Sequence, residues 1–217
     1  MKPIVTAILL NWKRPENLVE VIKSIRSQNI PIDIWLWDNS NSEHKFDVDQ
    51  RFQSSINLKC FPRWCLASMV QTEYFFVIDD DIMFTDGEVI SDCIQYHKLI
   101  DIEDLILGQT GVILNKEMIY FNSEHFSNVE RSVGVDIVKG RFMFMKQSVM
   151  NKVTMDASFT CDDIKISSQL NHKVLPAFLH NRFKDLQEGE EALFRTEGQR
   201  ELRQLATKQF FCKSNTQ

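Results

Sequence analysis

Short apolar runs and amphipathic stretches alternate through the first hundred residues of the chain. Apolar runs of strand length lie at residues 4–10, 32–37 and 74–78. Between the first two runs, apolar residues recur at three- and four-residue steps from Pro15 to about Gln28, which predicts a helix with one buried face. The capping-box pattern at Thr85 to Glu88 predicts another helix, with apolar residues as far as Leu99 or Ile100 facing the sheet. This order predicts parallel strands joined by right-handed crossovers, and hence an α/β fold.

The pattern is less regular outside these segments. A third strand is predicted at residues 56–61, closed by Pro62, and a short helix at 65–71. One or two bent strands are predicted within 105–114, further strands at 133–138 and 142–145, and a last short strand at 174–179. Lys184 to Arg200 is mostly polar and predicts a mobile flap, whereas residues 201–211 predict a helix.

Composition narrows the possible functions of the 217-residue chain. Its hydrophobic content is 43% and its formal net charge is -5, which argues against binding nucleic acid through phosphate neutralisation. The five cysteines are odd in number and include no C-x-x-C pair, a pattern typical of reduced thiols and of a cytoplasmic protein. The apolar run at 4–10 is too short to span a bilayer, so we expect no membrane span and interpret the run as the first strand.

Three adjacent carboxylates, Asp79-Asp80-Asp81, directly follow the apolar run at 74–78. Two carboxylates about 4 Å apart repel by roughly 4 kcal/mol at an effective dielectric of about 20, so the cluster needs hydration, protonation or a shared cation. Because alternate residues of an extended chain point the same way, Asp79 and Asp81 can face one divalent ion. The alternative is an acidic turn in water. The buried strand favours a site, since open α/β sheets bind ligands beyond the carboxyl ends of their strands.

Two further polar segments are predicted at the same edge of the sheet, namely residues 11–14 and Asp38-Asn39. Together with the aspartates they predict a crevice suited to a nucleoside diphosphate. A divalent ion would neutralise the diphosphate, Arg14 or Arg63 would contact phosphate oxygens, and Asp38 would accept a hydrogen bond from a base N–H. The alternative for both arginines is an ordinary solvated loop charge. Three tryptophans are candidate stacking faces, with burial in the core as the alternative: Trp12, Trp37 and Trp64.

Four segments in this order resemble the GT-A glycosyltransferases, especially the exostosin-like branch. They are residues 8–15, Trp37-Asp38-Asn39-Ser40, residues 76–81 and Cys161-Asp162-Asp163. The chain is also similar to the glycosyltransferase domain that large algal (chlorella) viruses encode for capsid glycosylation. The resemblance covers roughly residues 4–182. It implies a GT-A (Rossmann-like) fold with a mixed, mostly parallel central sheet flanked by helices.

The resemblance also implies roles for particular residues. Asp79 and Asp81 match the D-x-D motif that holds Mn²⁺ or Mg²⁺ and the sugar nucleotide, and His180 matches a late metal-binding histidine. Asp38 matches the carboxylate that reads uracil, and Arg63 a basic residue near the diphosphate. The residues expected at the sugar nucleotide are Asn11, Arg14, Asp38, Asn39, Arg63, Asp79 and Asp80, with Asp136 and Arg141 as weaker candidates at the donor sugar.

On the acceptor side, Asp163 resembles the family carboxylate placed near the acceptor hydroxyl, with Asp162 beside it. In an inverting enzyme Asp163 is the candidate general base. The alternative is that both acids only favour the N-terminus of a helix, where the helix dipole stabilises carboxylates. A histidine such as His180 also has a purely structural alternative.

We therefore predict a metal-dependent glycosyltransferase that moves a hexose or deoxyhexose from a nucleotide sugar, UDP being expected, to a hydroxyl of a glycan or glycoprotein. We expect one domain over 1–217: a nucleotide-sugar half at about 1–110, an acceptor half at about 111–183, and a flexible loop and helix at 184–217. Further domains of a longer chain are possible partners, and a viral protein would act in the host cytoplasm. The alternatives are a haloacid-dehalogenase-type phosphatase using Asp79 and Asp81, although Met83 departs from its motif, and a non-catalytic sugar-nucleotide-binding domain.

Overall fold

A computed structural model describes residues 2–40, 42–155, 161–187 and 197–212. The helices are α1 (Pro15–Arg26), α2 (Phe61–Met69), α3 (Val89–Ile100), α4 (Asp162–Gln169) and α5 (Gln199–Phe211). The strands are β1 (Val5–Asn11), β2 (Ile32–Asp38), β3 (Gln50–Gln53), β4 (Tyr74–Ile78), β5 (Ile82–Phe84), β6 (Leu105–Gly108), β7 (Thr110–Ile113), β8 (Glu124–Ser127), β9 (Val133–Gly134), β10 (Ile137–Val138), β11 (Phe142–Lys146), β12 (His172–Leu175) and β13 (Phe183–Asp185). None of the helices in these segments is long and apolar enough to cross a membrane.

The main sheet has eight strands in the order β3-β2-β1-β4-β11-β6-β12-β9. Strands β3, β2, β1 and β4 are parallel neighbours, β6 and β12 are parallel to each other, and β11 and β9 pair antiparallel to their neighbours. This confirms the predicted mixed, mostly parallel sheet. Small sheets of β10-β7-β8 and β13-β5 lie beside it. The main sheet takes strands from both sides of residue 110, and the division into two halves stays a prediction.

Strand β4 is the centre of the core, as its uninterrupted apolar sequence predicts. All five of its residues are buried. Alternate side chains point to opposite faces, so Phe76 packs with α1 and α3 on one face while Phe75 packs with Trp64 of α2 on the other. The helices therefore lie on both faces of the sheet, and the carboxyl ends of its parallel strands are where such sheets bind ligands.

The predicted strand at residues 56–61 is wrong. Ile56 is 63% exposed, and the segment is a loop whose backbone bonds the side chain of Asn39, which accepts from Leu58 N and donates to the carbonyl of Lys59. The edge strand is instead β3, within a stretch whose polarity hid it. Pro62 does not close a strand. It lies in the first turn of α2, where proline is well tolerated.

Three other predicted boundaries also shift. Helix α3 begins at Val89 without a side-chain cap, and its Leu99 is 80% exposed rather than facing the sheet. The last predicted strand ends at Leu175 and continues as a 3-10 turn. The predicted flap at 184–200 begins within β13, which pairs with β5, and ends within α5; its residues 188–196 lie outside the described residues.

His97 makes the stability of this core depend on pH. The side chain is fully buried on α3, with its ring 5.7 Å from Tyr74 and 5.5 Å from Phe144, and this burial lowers the pKa of His97 to about 4. When the pKa of a histidine is lower in the folded state, the unfolded chain binds protons more readily than the folded one. The free energy of unfolding therefore falls as pH falls. Between pH 7 and 5 we expect the free energy of unfolding to fall by about 2 kcal/mol from this residue.

Urea unfolding at both pH values measures this loss, and the His97→Phe variant, which cannot titrate, is the control. The variant should lose about 2 kcal/mol less than the wild type between pH 7 and 5. Equal losses in the two proteins would contradict the assignment to His97.

Candidate active site

The carboxyl ends of β1, β2 and β4 meet at one edge of the sheet, as the parallel order predicts. The register pairs Asn11 with Asp38 and places Leu9 opposite Ile78, so the chain that follows β4 emerges beside the last residues of β1. The aspartate triplet, residues 79–81, begins there and leads into β5. The structure thus brings together the three polar segments that the sequence places at this edge.

Each aspartate of the triplet faces an arginine from another part of the chain. Asp79 Oδ1 accepts a hydrogen bond from Arg63 at 2.8 Å, and Asp80 Oδ1 lies 2.7 Å from Arg14. Asp81 lies 3.4 Å from Arg14 and 3.7 Å from Arg141. Three guanidinium groups thus balance three carboxylates that repel one another.

The triplet is partly withdrawn from water, and this changes its chemistry. Burial raises the pKa of Asp79, against the opposing effect of Arg63, and burial with the neighbouring carboxylates raises the pKa of Asp80 to about 7 although Arg14 opposes it. Asp81 Oδ1 is buried and accepts no hydrogen bond. A buried carboxylate oxygen without a donor is suited to a hard divalent cation such as Mn²⁺ or Mg²⁺, so the residues present fit the metal that the sequence implies.

His180 is not brought to the triplet as a third ligand. Its Nδ1 lies 2.7 Å from the carbonyl of Asn128, and its Nε2 lies 2.8 Å from Asn181. Across the four described segments, no three histidine, cysteine, aspartate or glutamate side chains are grouped as metal ligands. The histidine matches the structural alternative, in which backbone and amide contacts fix the ring.

Asp38 has a structural role at this edge of the sheet. It is fully buried and accepts five hydrogen bonds: from Asn11, Arg51, the backbone and hydroxyl of Ser40, and the backbone of Ser42. Both carboxylate oxygens are thus engaged within the protein, and the reading of uracil by Asp38 stays a prediction. Asp38 organises the loop after β2, and buried Asn39 anchors the loop before α2.

Asp162 and Asp163 occupy the first turn of α4, and their surroundings differ. Asp163 forms two hydrogen bonds with the guanidinium of Arg203, at 3.2 and 2.8 Å, and also accepts from Ile164 N. Burial raises the pKa of Asp163, but the Arg203 pair outweighs it and the net pKa is below the usual range. Asp162 accepts from Trp64 Nε1 at 2.8 Å, and burial raises its pKa. Asp163 is therefore poorly suited to accept a proton.

The other candidates are placed as follows. Trp64 is core, 1% exposed, and offers no stacking face, whereas the partly buried Trp37 has one face stacked on Phe52, with centroids 6.0 Å apart. Lys13 lies over the ring of Trp12 at 4.9 Å. Asp136 accepts from Leu114 N and fixes a loop, whereas Arg141 lies at the triplet.

Two arginines of these clusters were not found by sequence reasoning. Arg51 lies on the short polar strand β3, and Arg203 lies on α5, forty residues after Asp163. No motif marks either residue. The only hint is general: if Asp38 and Asp163 are buried, each carboxylate needs a cation from elsewhere in the chain.

Comparison with protein-family models finds no match, and comparison with curated proteins finds no significant match. Solved structures do match. TarS from S. aureus, residues 1–349 in complex with UDP-GlcNAc, has a TM-score of 0.65 at 12% identity, over 88% of this chain and 61% of that one. The mannosyltransferase PcManGT from Pyrobaculum calidifontis, in complex with GDP-Man and Mn²⁺, has a TM-score of 0.64 at 13% identity, over 99% of this chain and 64% of that one.

These likenesses confirm the predicted GT-A fold. The chain spans between about 60 and 64% of the length of these two solved chains. At such low identity the comparison concerns the fold, and the activity has to be argued from this chain's own residues.

Proposed function

We propose that this chain is a glycosyltransferase that uses a nucleotide sugar and a divalent cation to glycosylate a hydroxyl group. The observation that carries the proposal is the aspartate triplet, at the carboxyl end of a strand buried on both faces and within reach of Arg14, Arg63 and Arg141. Carboxylates and guanidinium groups at one sheet edge are the complementary partners of a cation and a diphosphate. Their position at the carboxyl ends of the strands supports the proposal, because open α/β sheets bind ligands there.

Two related structures support the donor class. TarS was solved with UDP-GlcNAc and PcManGT with GDP-Man and Mn²⁺. We propose a hexose or deoxyhexose as the transferred sugar and a glycan or glycoprotein as the acceptor, as the sequence resemblance implies. The exostosin-like and algal viral affinities rest on that resemblance alone.

Asp79 and Asp81 are the proposed holders of Mn²⁺ or Mg²⁺, with the buried Oδ1 of Asp81 as the first ligand. When bound, the cation supplies positive charge against the leaving diphosphate. Arg14 pairs with Asp80 and Asp81, and Arg141 pairs with Asp81. Both guanidinium groups therefore lie beside the proposed cation site, where they can pair with phosphate oxygens instead. Arg63 is only 4% exposed and donates to the carbonyl of Gly140, so it holds Asp79 in place.

For an inverting transfer, Asp162 is better suited than Asp163 to take the proton of the acceptor hydroxyl. A general base works best when its pKa is raised toward the working pH, and burial raises that of Asp162. Asp163, held by Arg203, positions the start of α4 instead.

Calorimetric titration of UDP, UDP-glucose and GDP-mannose, with Mn²⁺ or with EDTA, tests the proposal. We expect one nucleotide to bind in the presence of Mn²⁺, and Asp81→Asn to weaken this binding at least about tenfold because it removes a ligand while keeping the side chain's shape. Asp185→Asn is the matched control: Asp185 also pairs with Arg141, at 2.6 Å, but is 76% exposed and outside the triplet.

Nucleotide binding that is unaffected by EDTA and by Asp81→Asn would overturn the metal assignment, and absence of all binding would overturn the proposal. Release of free nucleotide from the bound sugar nucleotide, even slow hydrolysis, separates an enzyme from a non-catalytic binding domain. No observation in the structure favours the phosphatase alternative.

A further inference from the structure

The loop of Lys139, Gly140 and Arg141 lies between the triplet and the acceptor-side carboxylates. The carbonyl of Gly140 accepts from Arg63 at 2.9 Å, and the carbonyl of Arg141 accepts from Asp79 N at 2.9 Å. On the other side, Gly140 N donates toward Asp163 at 3.4 Å. The loop is thus fixed by its backbone, and its two cationic side chains flank the two parts of the site.

Arg141 faces the triplet side, whereas Lys139 faces the other. Arg141 pairs with Asp81 and Asp185. The charges that act on Lys139 are those of Arg203, Asp163 and Arg141, and burial is the largest influence, lowering its pKa. Asp163 is already paired with Arg203, so the carboxylate nearest to Lys139 is committed to another cation.

Lys139 has no counterion of its own. In the described segments its ammonium group has neither a hydrogen bond nor an ion pair, although the residue is half-buried. Half-burial without a carboxylate is unfavourable for a lysine, and a bound oxyanion would offset that cost by accepting a charge-assisted hydrogen bond. The whole chain carries a net charge of -5, so this local excess of positive charge is a feature of the site rather than of the surface in general.

Helix α5 adds cations and aromatic rings to the same side. Arg203 donates to the hydroxyl of Tyr120 at 2.7 Å and lies over its ring, and the exposed Arg200 lies 4.6 Å from the ring centre of Phe121. Tyr120 and Phe121 are in edge contact, with centroids 5.0 Å apart, and Phe121 is 37% exposed. A cationic patch with an exposed aromatic ring fits a sugar that carries a negative charge.

We infer that Lys139, with Arg203 and Arg200 of α5, binds an oxyanion carried by the acceptor, so that the acceptor is a phosphorylated or otherwise anionic glycan. The inference rests on the proposed function, since it assigns the Asp163 side of the loop to the acceptor. The donor's diphosphate is the other possible source of an oxyanion. The geometry favours the acceptor because Arg14, Arg63 and Arg141 pair with the triplet, whereas Lys139 precedes Gly140, whose N–H points to Asp163.

The test uses inorganic phosphate and glycerol 3-phosphate as probes, with glycerol as the neutral control, in an NMR titration of the whole ¹⁵N-labelled chain. We expect both anions to shift the backbone amide of Gly140 in a saturable manner and glycerol to leave it unchanged. Lys139→Met keeps the aliphatic stem and should weaken this binding at least about tenfold, the value of one charge-assisted hydrogen bond. Lys98→Met, an exposed lysine on α3, is the matched control and should bind as the wild type does.

The source of the anion is settled by adding saturating UDP and Mn²⁺. Continued binding of phosphate at Gly140 supports an acceptor subsite, whereas its displacement assigns Lys139 to the donor and overturns the inference. UDP binding without any phosphate effect at Gly140 overturns the inference but leaves the proposed function intact. Phosphate binding without nucleotide binding contradicts the proposed function and, with it, the acceptor assignment.

Arg200→Gln, at an exposed position, gives a second variant should Lys139→Met fail to fold, and it should also weaken binding.

Discussion

The Asp38→Ala variant should lose about 3–5 kcal/mol of the free energy of unfolding, the cost typical of breaking a buried charge pair. The carboxylate is fully buried and accepts from Arg51 at 2.6 Å, as well as from Asn11 and from the backbone of Ser40 and Ser42. Alanine leaves these donors without an acceptor and leaves the Arg51 charge unbalanced. Urea unfolding at pH 7 measures the loss.

Asp47→Ala is the control, since Asp47 also pairs with an arginine, Arg26, but is 82% exposed. It should cost less than about 1 kcal/mol, as surface ion pairs do. Burial raises the pKa of Asp38, but hydrogen bonds from Ser40, Arg51 and Asn11 lower it by a larger amount. The pKa of Asp38 therefore lies below its ordinary value. Its stabilisation is therefore complete above the unfolded pKa and is lost as pH falls through the folded pKa. A variant as stable as the wild type at pH 7 would show that Asp38 does not organise this edge.

The Arg203→Met variant should also be destabilised by about 3–5 kcal/mol at pH 7. It removes the ion-pair partner of buried Asp163 and the hydrogen bond that joins α5 to the hydroxyl of Tyr120. Without the guanidinium, Asp163 must either remain charged in an apolar setting or take up a proton.

This prediction has a pH signature. In the wild type the Arg203 pair keeps the pKa of Asp163 low, so the stabilisation is present above the unfolded pKa of about 3.9 and is lost below it. In the variant the guanidinium no longer opposes burial, so the pKa of Asp163 rises and the folded variant takes up a proton as pH falls. The gap in unfolding free energy between wild type and variant should therefore narrow as pH falls from 7 toward 4. The double variant Asp163→Asn with Arg203→Met should be more stable than Arg203→Met alone at pH 7. A gap that does not change with pH would assign the loss to packing alone.

The sequence predicts the parts of this protein that depend on local pattern. Strands β1, β2 and β4 and helix α1 follow from apolar periodicity, and their parallel order brings Asn11, Asp38 and Asp79 to one edge. Strand β3 escaped prediction because a short, exposed edge strand such as Gln50–Gln53 needs no apolar run. The loop at 56–60 resembled a strand because Ile56 and Leu58 alternate with polar residues, although Asn39 holds that segment from a distance.

The roles of the charged residues were less predictable, because they depend on partners far away in the chain. The hydrogen-bond partners of Asp38 could not be predicted, because Arg51, Ser40 and Ser42 reach it only through the folding of the loop after β2. The same holds for Asp163, because Arg203 arrives from a helix forty residues later. A motif identifies which residue types meet at the site, whereas the balance of charge among them is set by tertiary contacts.

The arginines on the triplet have a consequence for how the proposed site is loaded. Arg14, Arg63 and Arg141 are tethered counterions, so a divalent cation that arrives alone must displace guanidinium groups that cannot diffuse away. When the cation binds together with a diphosphate, the phosphate oxygens can replace the carboxylate oxygens as partners of Arg14 and Arg141. Cation and nucleotide therefore raise each other's affinity by the same factor, and their loading is cooperative. If the proposed function holds, we expect the free protein to bind a divalent cation weakly until the nucleotide sugar is present.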